Sequence, residues 1–235
     1  MSPVRRMRPV RVTNRVPTMH LRFAHCAPGA GAPLLLALLL GGCNLIGTKP
    51  TTVVTYSPSV QITTEASWPD VDWQLSVGKP AAESMLSSAR IAVRPGDGAE
   101  LQVLGGARWS DTMPELLQAL IVRAFEDSGR IVGVGRQASG LRADYTLTLD
   151  VRAFEAVYAD GGAPTALIEF NAKLMGFPSN RVLATRTFEA RARAAGRDAA
   201  DVVAAFDSAL EESIGALVGW TLEQGRGAAG QSSPH

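Results

Sequence analysis

Cys43 is the residue whose sequence context most clearly indicates a chemical modification of its side chain. It follows Leu40, Gly41 and Gly42 directly, and a leucine-rich apolar run precedes them. Leucine, two small residues and cysteine form the pattern of a bacterial lipobox, in which the thiol is lipidated and the chain is cut after Gly42. We therefore predict a diacylglycerol on the Cys43 sulfur and an N-acyl chain, palmitate, on its amino group. Three acyl chains would hold the mature chain on a membrane.

The apolar run could instead be a core helix or a membrane span, but its length and surroundings favour a signal peptide. A span needs about 20 apolar residues, whereas the segment 33–42 has only ten. Six arginines and no acidic residue lie in residues 1–42, as in the basic region of an export signal. We predict a lipoprotein signal peptide over residues 1–42, and Met1, Met7 and Met19 remain open as start sites.

The formal charge of the chain changes sign when the predicted signal is removed. The whole sequence carries 23 basic and 22 acidic residues. Because residues 1–42 hold six of the basic residues and none of the acidic ones, the mature chain has a net charge of −5. This charge argues against a general surface for nucleic acid or anionic lipid, since both require a basic face. About 190 residues remain, enough for one domain with a buried core.

Cysteine and histidine are absent from the sequence between Cys43 and the last residue. The cysteines are Cys26 and Cys43, and the histidines are His20, His25 and His235. Catalysis by Ser-His or Cys-His pairs, and the usual zinc sites, need an imidazole or a thiolate. The glycines around Val134 also lack the lysine and hydroxyl residue of a phosphate loop. We therefore predict that the protein is not an enzyme and binds no metal or cofactor beyond its lipid chains.

Composition divides the mature chain into three parts. Residues 43–70 are rich in Thr, Ser and Pro, which predicts a flexible tether behind the lipidated cysteine. Residues 71–224 contain the periodic apolar patterns of one folded domain, and its first predicted strand is residues 73–77. Residues 225–235 are rich in Gly, Ala and Ser, which predicts a disordered tail.

Two helices and an antiparallel meander are predicted within the domain. Thr112 is the expected N-cap of the first helix, Glu115 would close a capping box with it, and Gly129 would end the helix. Apolar residues alternate strictly along residues 145–151 and again along residues 168–174, as in antiparallel strands with one buried face, and residues 182–192 follow as the third strand of the meander. A second helix with one apolar stripe begins near Asp198. The expected fold is α+β, a two-layer sandwich with a mostly antiparallel sheet and two main helices on one face.

The order of these segments resembles a known family. The matching segments are Trp73-Gln74-Leu75, Ala107-Arg108-Trp109, Met113-Pro114-Glu115 with Ser128-Gly129, the strand that contains Arg152, Val182 to Phe188, Val202 to Phe206, and Trp220. In this order behind a lipobox, they resemble the ABC-type transport auxiliary lipoproteins over residues 71–224. The resemblance implies a lipoprotein of the cell envelope that faces the periplasm, commonly on the outer membrane. Asn44 is compatible with sorting to that membrane.

The resemblance also implies a partner. Such lipoproteins work with a transporter that has an ATPase, a permease and an MCE-domain protein, and that moves phospholipid or other hydrophobic molecules across the envelope. The chain would be a non-catalytic component that docks the MCE-domain protein at the membrane. Docking on a symmetric partner would favour a homo-oligomer. The alternative function is an outer-membrane assembly or scaffold lipoprotein, and nothing positive supports a hydrolase.

Trp109, Arg108 and Arg186 are the candidate contacts to this partner. Trp109 and Arg108 lie at a predicted strand-to-helix corner, and both residue types are enriched at interface hot spots. The alternative for Trp109 is an aromatic plug that covers the helix end. Arg186 opens a series of four arginines that ends at Arg197. Such a series is usual on a solvated strand face, but it could meet an acidic partner surface.

Overall fold

A nine-stranded sheet and two helices form the part of the chain that the computed structural model describes, residues 52–96, 98, 100–137, 139–159 and 161–231. The strands are β1 (Val54–Tyr56), β2 (Val71–Val77), β3 (Ala81–Ala82), β4 (Arg90–Pro95), β5 (Gln102–Trp109), β6 (Ile131–Arg136), β7 (Tyr145–Tyr158), β8 (Thr165–Gly176) and β9 (Arg181–Arg193), and the helices are α1 (Met113–Ser128) and α2 (Ala199–Gln231). The two helices contact each other and pack on the sheet. The predicted α+β class is confirmed.

The central strand is β7, which is also the longest strand. β8 and β9 follow it as an antiparallel meander along one edge, as the alternation predicts. Along the other edge, β7 pairs in parallel with β2 near Tyr145, with β3 near Asp150 and with β4 near Glu155. The sheet continues from β2 to β6, and from β4 to β5 and β1. The sheet is therefore mixed, and its longest ladders are antiparallel.

Aromatic side chains fill the core between the meander and α2. Phe154 of β7 stacks on Phe206 of α2, with ring centroids 5.0 Å apart. Phe170 of β8 stacks on Phe188 of β9 at 5.5 Å, and Phe188 meets Trp220 of α2 edge-on at 5.6 Å. Such pairs add about 0.5 to 1.5 kcal/mol each to the effect of apolar burial. They fix the position of α2 across the three strands of the meander.

The boundaries of α1 follow the prediction, but its capping does not. Gly129 ends the helix with φ at 63°, the left-handed conformation that glycine adopts without strain. Thr112 precedes the helix, yet its hydroxyl group is buried without a hydrogen-bond partner. Glu115 pairs with Lys79 at 2.7 Å. The predicted capping box is therefore wrong, because β2 leads Lys79 to a position where it competes for the Glu115 carboxylate.

The predicted tether is corrected over residues 54–69, because this segment packs on the domain. β1 pairs in parallel with β5, so β2 is the second strand rather than the first. Beyond β1, residues 57–69 form a strap along α2. Pro58, Trp68 and Pro69 of the strap are buried.

Hydrogen bonds hold the strap along its length. The Ser59 and Gln61 amides donate to Asp207 and Glu211, at 3.1 Å and 3.2 Å. Because these acceptors are four residues apart on α2, the strap runs along the helix axis. Thr64 donates through its hydroxyl group to the carbonyl at the end of α1, at 3.4 Å. A Thr- and Pro-rich composition therefore concealed an ordered segment.

The predicted disordered tail is corrected over residues 225–231, where α2 continues to Gln231. Gly225 is buried against Trp73, and the Tyr145 hydroxyl group donates to the Gly225 carbonyl at 3.3 Å. Glycine lowers helix propensity, but here its missing side chain provides room for the indole ring. Residues 232–235 lie outside the described residues.

Alanine at Gly225 is expected to lower the free energy of unfolding by about 1 to 3 kcal/mol, because its Cβ would overlap the Trp73 ring. Alanine at Gly227, where nothing lies within 4 Å of the added Cβ, is expected to raise it by about 0.5 kcal/mol through helix propensity. Alanine at Gly219, which lies against the Trp68 indole, is likewise expected to lower the free energy of unfolding. Alanine at Gly215, where nothing lies within 4 Å of the added Cβ, is expected to raise it. Urea unfolding measures all four variants. Equal effects within each pair would contradict this packing.

Substitution of Asp207 by asparagine is expected to stabilise the domain slightly at neutral pH. Burial, followed by the charge of Glu211, raises the pKa of Asp207, and the Ser59 amide opposes this shift. The folded state therefore binds a proton at Asp207 more tightly than the unfolded state, whose pKa is near 3.8. Stability from this group is lost as pH rises through the folded pKa. The advantage of the variant should shrink as pH falls toward 4, and thermal unfolding across pH checks it.

Candidate docking surface

Trp109, the first candidate contact, lies at the end of β5 and is completely buried, with an exposed fraction of 0%. Its indole meets Phe206 edge-on at 5.2 Å and Phe154 edge-on at 6.0 Å. The Trp109 amide donates to the Ala89 carbonyl at 2.8 Å. The structure thus places Trp109 in the aromatic core beside the start of α1. Its side chain offers no surface to a partner in this conformation.

Arg108 and Arg186 are both exposed, but the fold does not bring them together. Arg108 lies on β5, and its Nε donates to the Trp109 carbonyl at 3.3 Å. Arg186 lies on β9, with its guanidinium 5.1 Å from the centre of the Phe188 ring. The strands β4, β7 and β8 lie between them, a distance of about 19 Å at ~4.8 Å per strand. The two arginines therefore belong to different surfaces, and their partner contacts remain proposals.

Three exposed apolar side chains lie at the turn between β8 and β9. We call Phe177, Val182 and Leu183 the tip patch; their exposed fractions are 63%, 47% and 41%. The backbone beneath is anchored, because the Phe177 amide donates to the Asp144 carbonyl at 2.9 Å. Exposed apolar residues clustered on a fixed backbone are a feature of protein interaction sites.

The tip patch borders a cleft of about 710 Å³ between the β8–β9 turn and the last turns of α2. Tyr145 forms part of its wall, and Arg181 and Glu223 contribute opposite charges. Burial, and then the charges of nearby Asp144 and Asp72, raises the pKa of Tyr145. Both effects favour the protonated phenol, the form that donates to the Gly225 carbonyl of α2. The cleft is polar with an apolar rim, an arrangement that suits binding.

Two carboxylates line the cleft, those of Asp144 and Glu223, and the Asp144 carboxylate is engaged in a hydrogen bond. Asp144 accepts a hydrogen bond from the Gln74 amide at 2.8 Å. Among the described residues, no group of three or more acidic, histidine or cysteine side chains is placed to share a metal ion. Within the same part of the chain, no helix has the length and apolar character needed to cross a membrane. Gly42 and Cys43 lie outside the described residues, so their cleavage and lipidation stay predictions.

The sequence contained a signal for the tip patch that the strand prediction from alternation did not consider. Val182 and Leu183 are adjacent in β9, so at least one of them had to lie off the buried face of the strand. In the structure the register between β8 and β9 shifts at this point, and both side chains line the cleft. Pro178 indicated the turn, but the exposure of Phe177 before it depends on the tertiary structure.

Comparisons with known proteins cover most of the described fold, from β1 into α2. A family model described as the ABC-type transport auxiliary lipoprotein component matches residues 55–216. The crystal structure of protein XCC0632 from Xanthomonas campestris is 44% identical, with a TM-score of 0.72, and the match covers 76% of this chain and 99% of that one. A crystal structure of an uncharacterized protein, 15% identical with a TM-score of 0.56, covers 71% of this chain and 97% of its own and shows the fold alone.

A curated relative matches over a shorter stretch. Uncharacterized protein bll6063 of Bradyrhizobium diazoefficiens is 30% identical over 149 residues, which cover 63% of this chain and 39% of that protein. The chain thus spans about two fifths of the length of this relative.

Proposed function

Because this chain belongs to the family of ABC-type transport auxiliary lipoproteins, we propose that it is a non-catalytic docking component of an MCE-type transport system in the cell envelope. The system would move phospholipid or another hydrophobic molecule. Lipidation at Cys43 would hold the chain on a membrane facing the periplasm, and Asn44 is compatible with the outer membrane. The family match begins at residue 55, so its range includes the strap.

The tip patch is the observation that carries the docking role. Three apolar side chains, 41% to 63% exposed, border a cleft and lie on a backbone fixed by pairing on β7 and β8. A partner that covered them would remove apolar surface from water, which stabilises a complex by about 25 cal/mol for each Å² buried. Arg181 beside the cleft would add a charged contact at the rim of such an interface.

The position of β1 supports a polarity for docking. β1 enters the sheet with Val54 opposite Ala107 of β5. The pairings of β5 with β4 and of β4 with β7 then place Val54 roughly level with Phe154. The cleft lies at Tyr145, nine residues along β7, or about 30 Å away at ~3.3 Å per residue. An anchor on the chain before β1 would thus hold one end of the domain and leave the tip patch for a partner.

Purification of the chain from crosslinked membranes tests the proposal. We expect an MCE-domain protein among the crosslinked products, identified by mass spectrometry. A Cys43→Ser chain, which cannot be lipidated, should leave the membrane fraction and lose most of this product. Repeated purifications of the unaltered chain without any MCE-domain protein would overturn the proposed function.

A tip-patch variant that combines Phe177→Ser and Leu183→Glu is expected to reduce recovery of the partner by at least about tenfold. The effect would arise because apolar contacts are replaced by polar groups that the interface would have to desolvate. Val132→Ser is the control, since Val132 is 69% exposed but lies on β6, three strands from β8 in the sheet. Circular dichroism should show both variants folded. Equal recovery with the two variants would remove the tip patch from the interface.

A further inference from the structure

The outer edge of β9 is a long row of backbone groups without a strand neighbour in the described part of the chain. β9 has 13 residues and pairs only with β8. The other two edges are short, with three residues in β1 and six in β6. Short edge strands are one way in which proteins avoid unwanted pairing. A long free edge in the same sheet is therefore a feature that needs an occupant or a means of protection.

Positive charge is concentrated along this edge. β9 carries Arg181, Arg186, Arg191 and Arg193 against the single acidic residue Glu189. Only Arg191 has a carboxylate partner among the described residues, Glu189 at 2.6 Å. The mature chain as a whole has a net charge of −5. β9 is thus a basic strand on an acidic protein, with Arg186 on the face of Phe188 and Arg191 and Arg193 on the other face, and its charge complements an acidic ligand.

We infer that β9 accepts an extended acidic segment of the partner protein as an additional strand of the sheet. Backbone hydrogen bonds to β9 would supply affinity, and acidic side chains beside the four arginines would supply specificity. Val182 and Leu183 belong to the same strand, so an added strand would continue into the tip patch. This inference rests on the proposed docking function, because it names the part of the partner that docks.

The competing explanation is that the arginines only protect the edge from aggregation. Both explanations predict exposed arginines, but they differ in what an acidic strand does. Under the docking inference the strand orders along β9 and engages its amides. Under the protection explanation no strand binds there, whatever its charge.

The first test needs no knowledge of the partner. A ten-residue peptide of alternating Glu and Thr is titrated into the ¹⁵N-labelled full mature chain carrying Cys43→Ser, with an alternating Lys and Thr peptide as control. We expect amide shifts along β9 with the Glu peptide alone, and an affinity about fivefold lower after Arg186→Gln with Arg191→Gln. Absence of shifts along β9, equal shifts with the Lys peptide, or shifts centred on β6 would overturn the inference.

The second test removes a single backbone donor. Neighbouring residues of a strand point their amides in opposite directions, so one of Arg186→Pro and Thr187→Pro loses an outward N–H and the other loses a bond to β8. The outward variant should stay folded and should recover at least tenfold less MCE-domain protein from crosslinked membranes. If it recovers a normal amount, the strand inference fails while the proposed function stands.

The two tests separate the two possible failures. If the unaltered chain recovers no MCE-domain protein, the proposed function fails, and the peptide titration still decides whether β9 binds an acidic strand. Crosslinks from β9 that lead only to a second copy of this chain would overturn the inference in favour of self-association.

Discussion

Replacement of Trp109 by alanine is expected to lower the free energy of unfolding by about 3 to 5 kcal/mol. The indole is fully buried and contacts Phe154 and Phe206, which also stack on each other. Its removal would leave a cavity beneath α2 at the place where β5, β7 and the helix meet. Because the rings of Phe154 and Phe206 are held by their own strand and helix, the surrounding structure could close this cavity only in part.

Arg108→Gln is the matched control, because Arg108 precedes Trp109 and is exposed. We expect a change of less than about 0.5 kcal/mol for this variant. Urea unfolding followed by circular dichroism measures both. A Trp109→Ala chain that lost less than about 1 kcal/mol would contradict a role for this residue in the core. If that variant also lost the partner, the interface explanation of Trp109 would be favoured.

Arg94→Met is expected to cost about 3 to 5 kcal/mol, because it leaves a buried carboxylate without its partner. Glu155 has a side-chain exposure of 3%, and Arg94 pairs with it through two hydrogen bonds, at 2.5 Å and 2.9 Å. The bond with Glu155 raises the pKa of Arg94, and burial opposes this shift. Arg94 also donates to the Gly98 carbonyl at 3.1 Å, so it fixes the turn between β4 and β5.

Arg152→Met provides the comparison, because Arg152 lies on β7, the strand of Glu155. Arg152 pairs with Glu169 at 3.3 Å, but its side chain is 51% exposed. Exposed pairs contribute little, so we expect a loss of less than about 1 kcal/mol. A double variant, Arg94→Met with Glu155→Leu, should recover most of the stability that Arg94→Met loses. Similar costs for Arg94→Met and Arg152→Met in thermal and urea unfolding would contradict this explanation.

The elements that the sequence predicted well are those whose signal lies within one segment. Strict alternation from Tyr145 to Val151 predicted β7, and Gly129 predicted the end of α1. Each depends on the geometry of a few neighbouring residues, which a sequence pattern records directly. The parallel pairing of β2 and β4 with β7 was not predicted, because an alternating strand has the same pattern whichever way its neighbour runs.

The errors share one cause, a contact with a distant segment. The strap has the composition of a linker, yet Ser59 and Gln61 find acceptors about 150 residues away on α2. Gly225 begins a segment whose composition predicts a flexible tail, yet the Trp73 ring requires a residue without a side chain at position 225. Glu115 has the spacing of a capping box, but Lys79 takes its carboxylate. Local propensity was overridden in each case by packing that only the complete fold creates.

The sequence by itself predicted the lipidation at Cys43 and indicated the family. It also contains no cysteine or histidine between Cys43 and His235. All three statements follow from residue identity and order. Only the tertiary structure decided which residues form a surface. It buried Trp109, separated Arg108 from Arg186, and gathered Phe177 and Leu183 beside a cleft. The physical reason is that exposure depends on how β7 aligns its neighbours over a long range, and no short window of sequence contains that alignment.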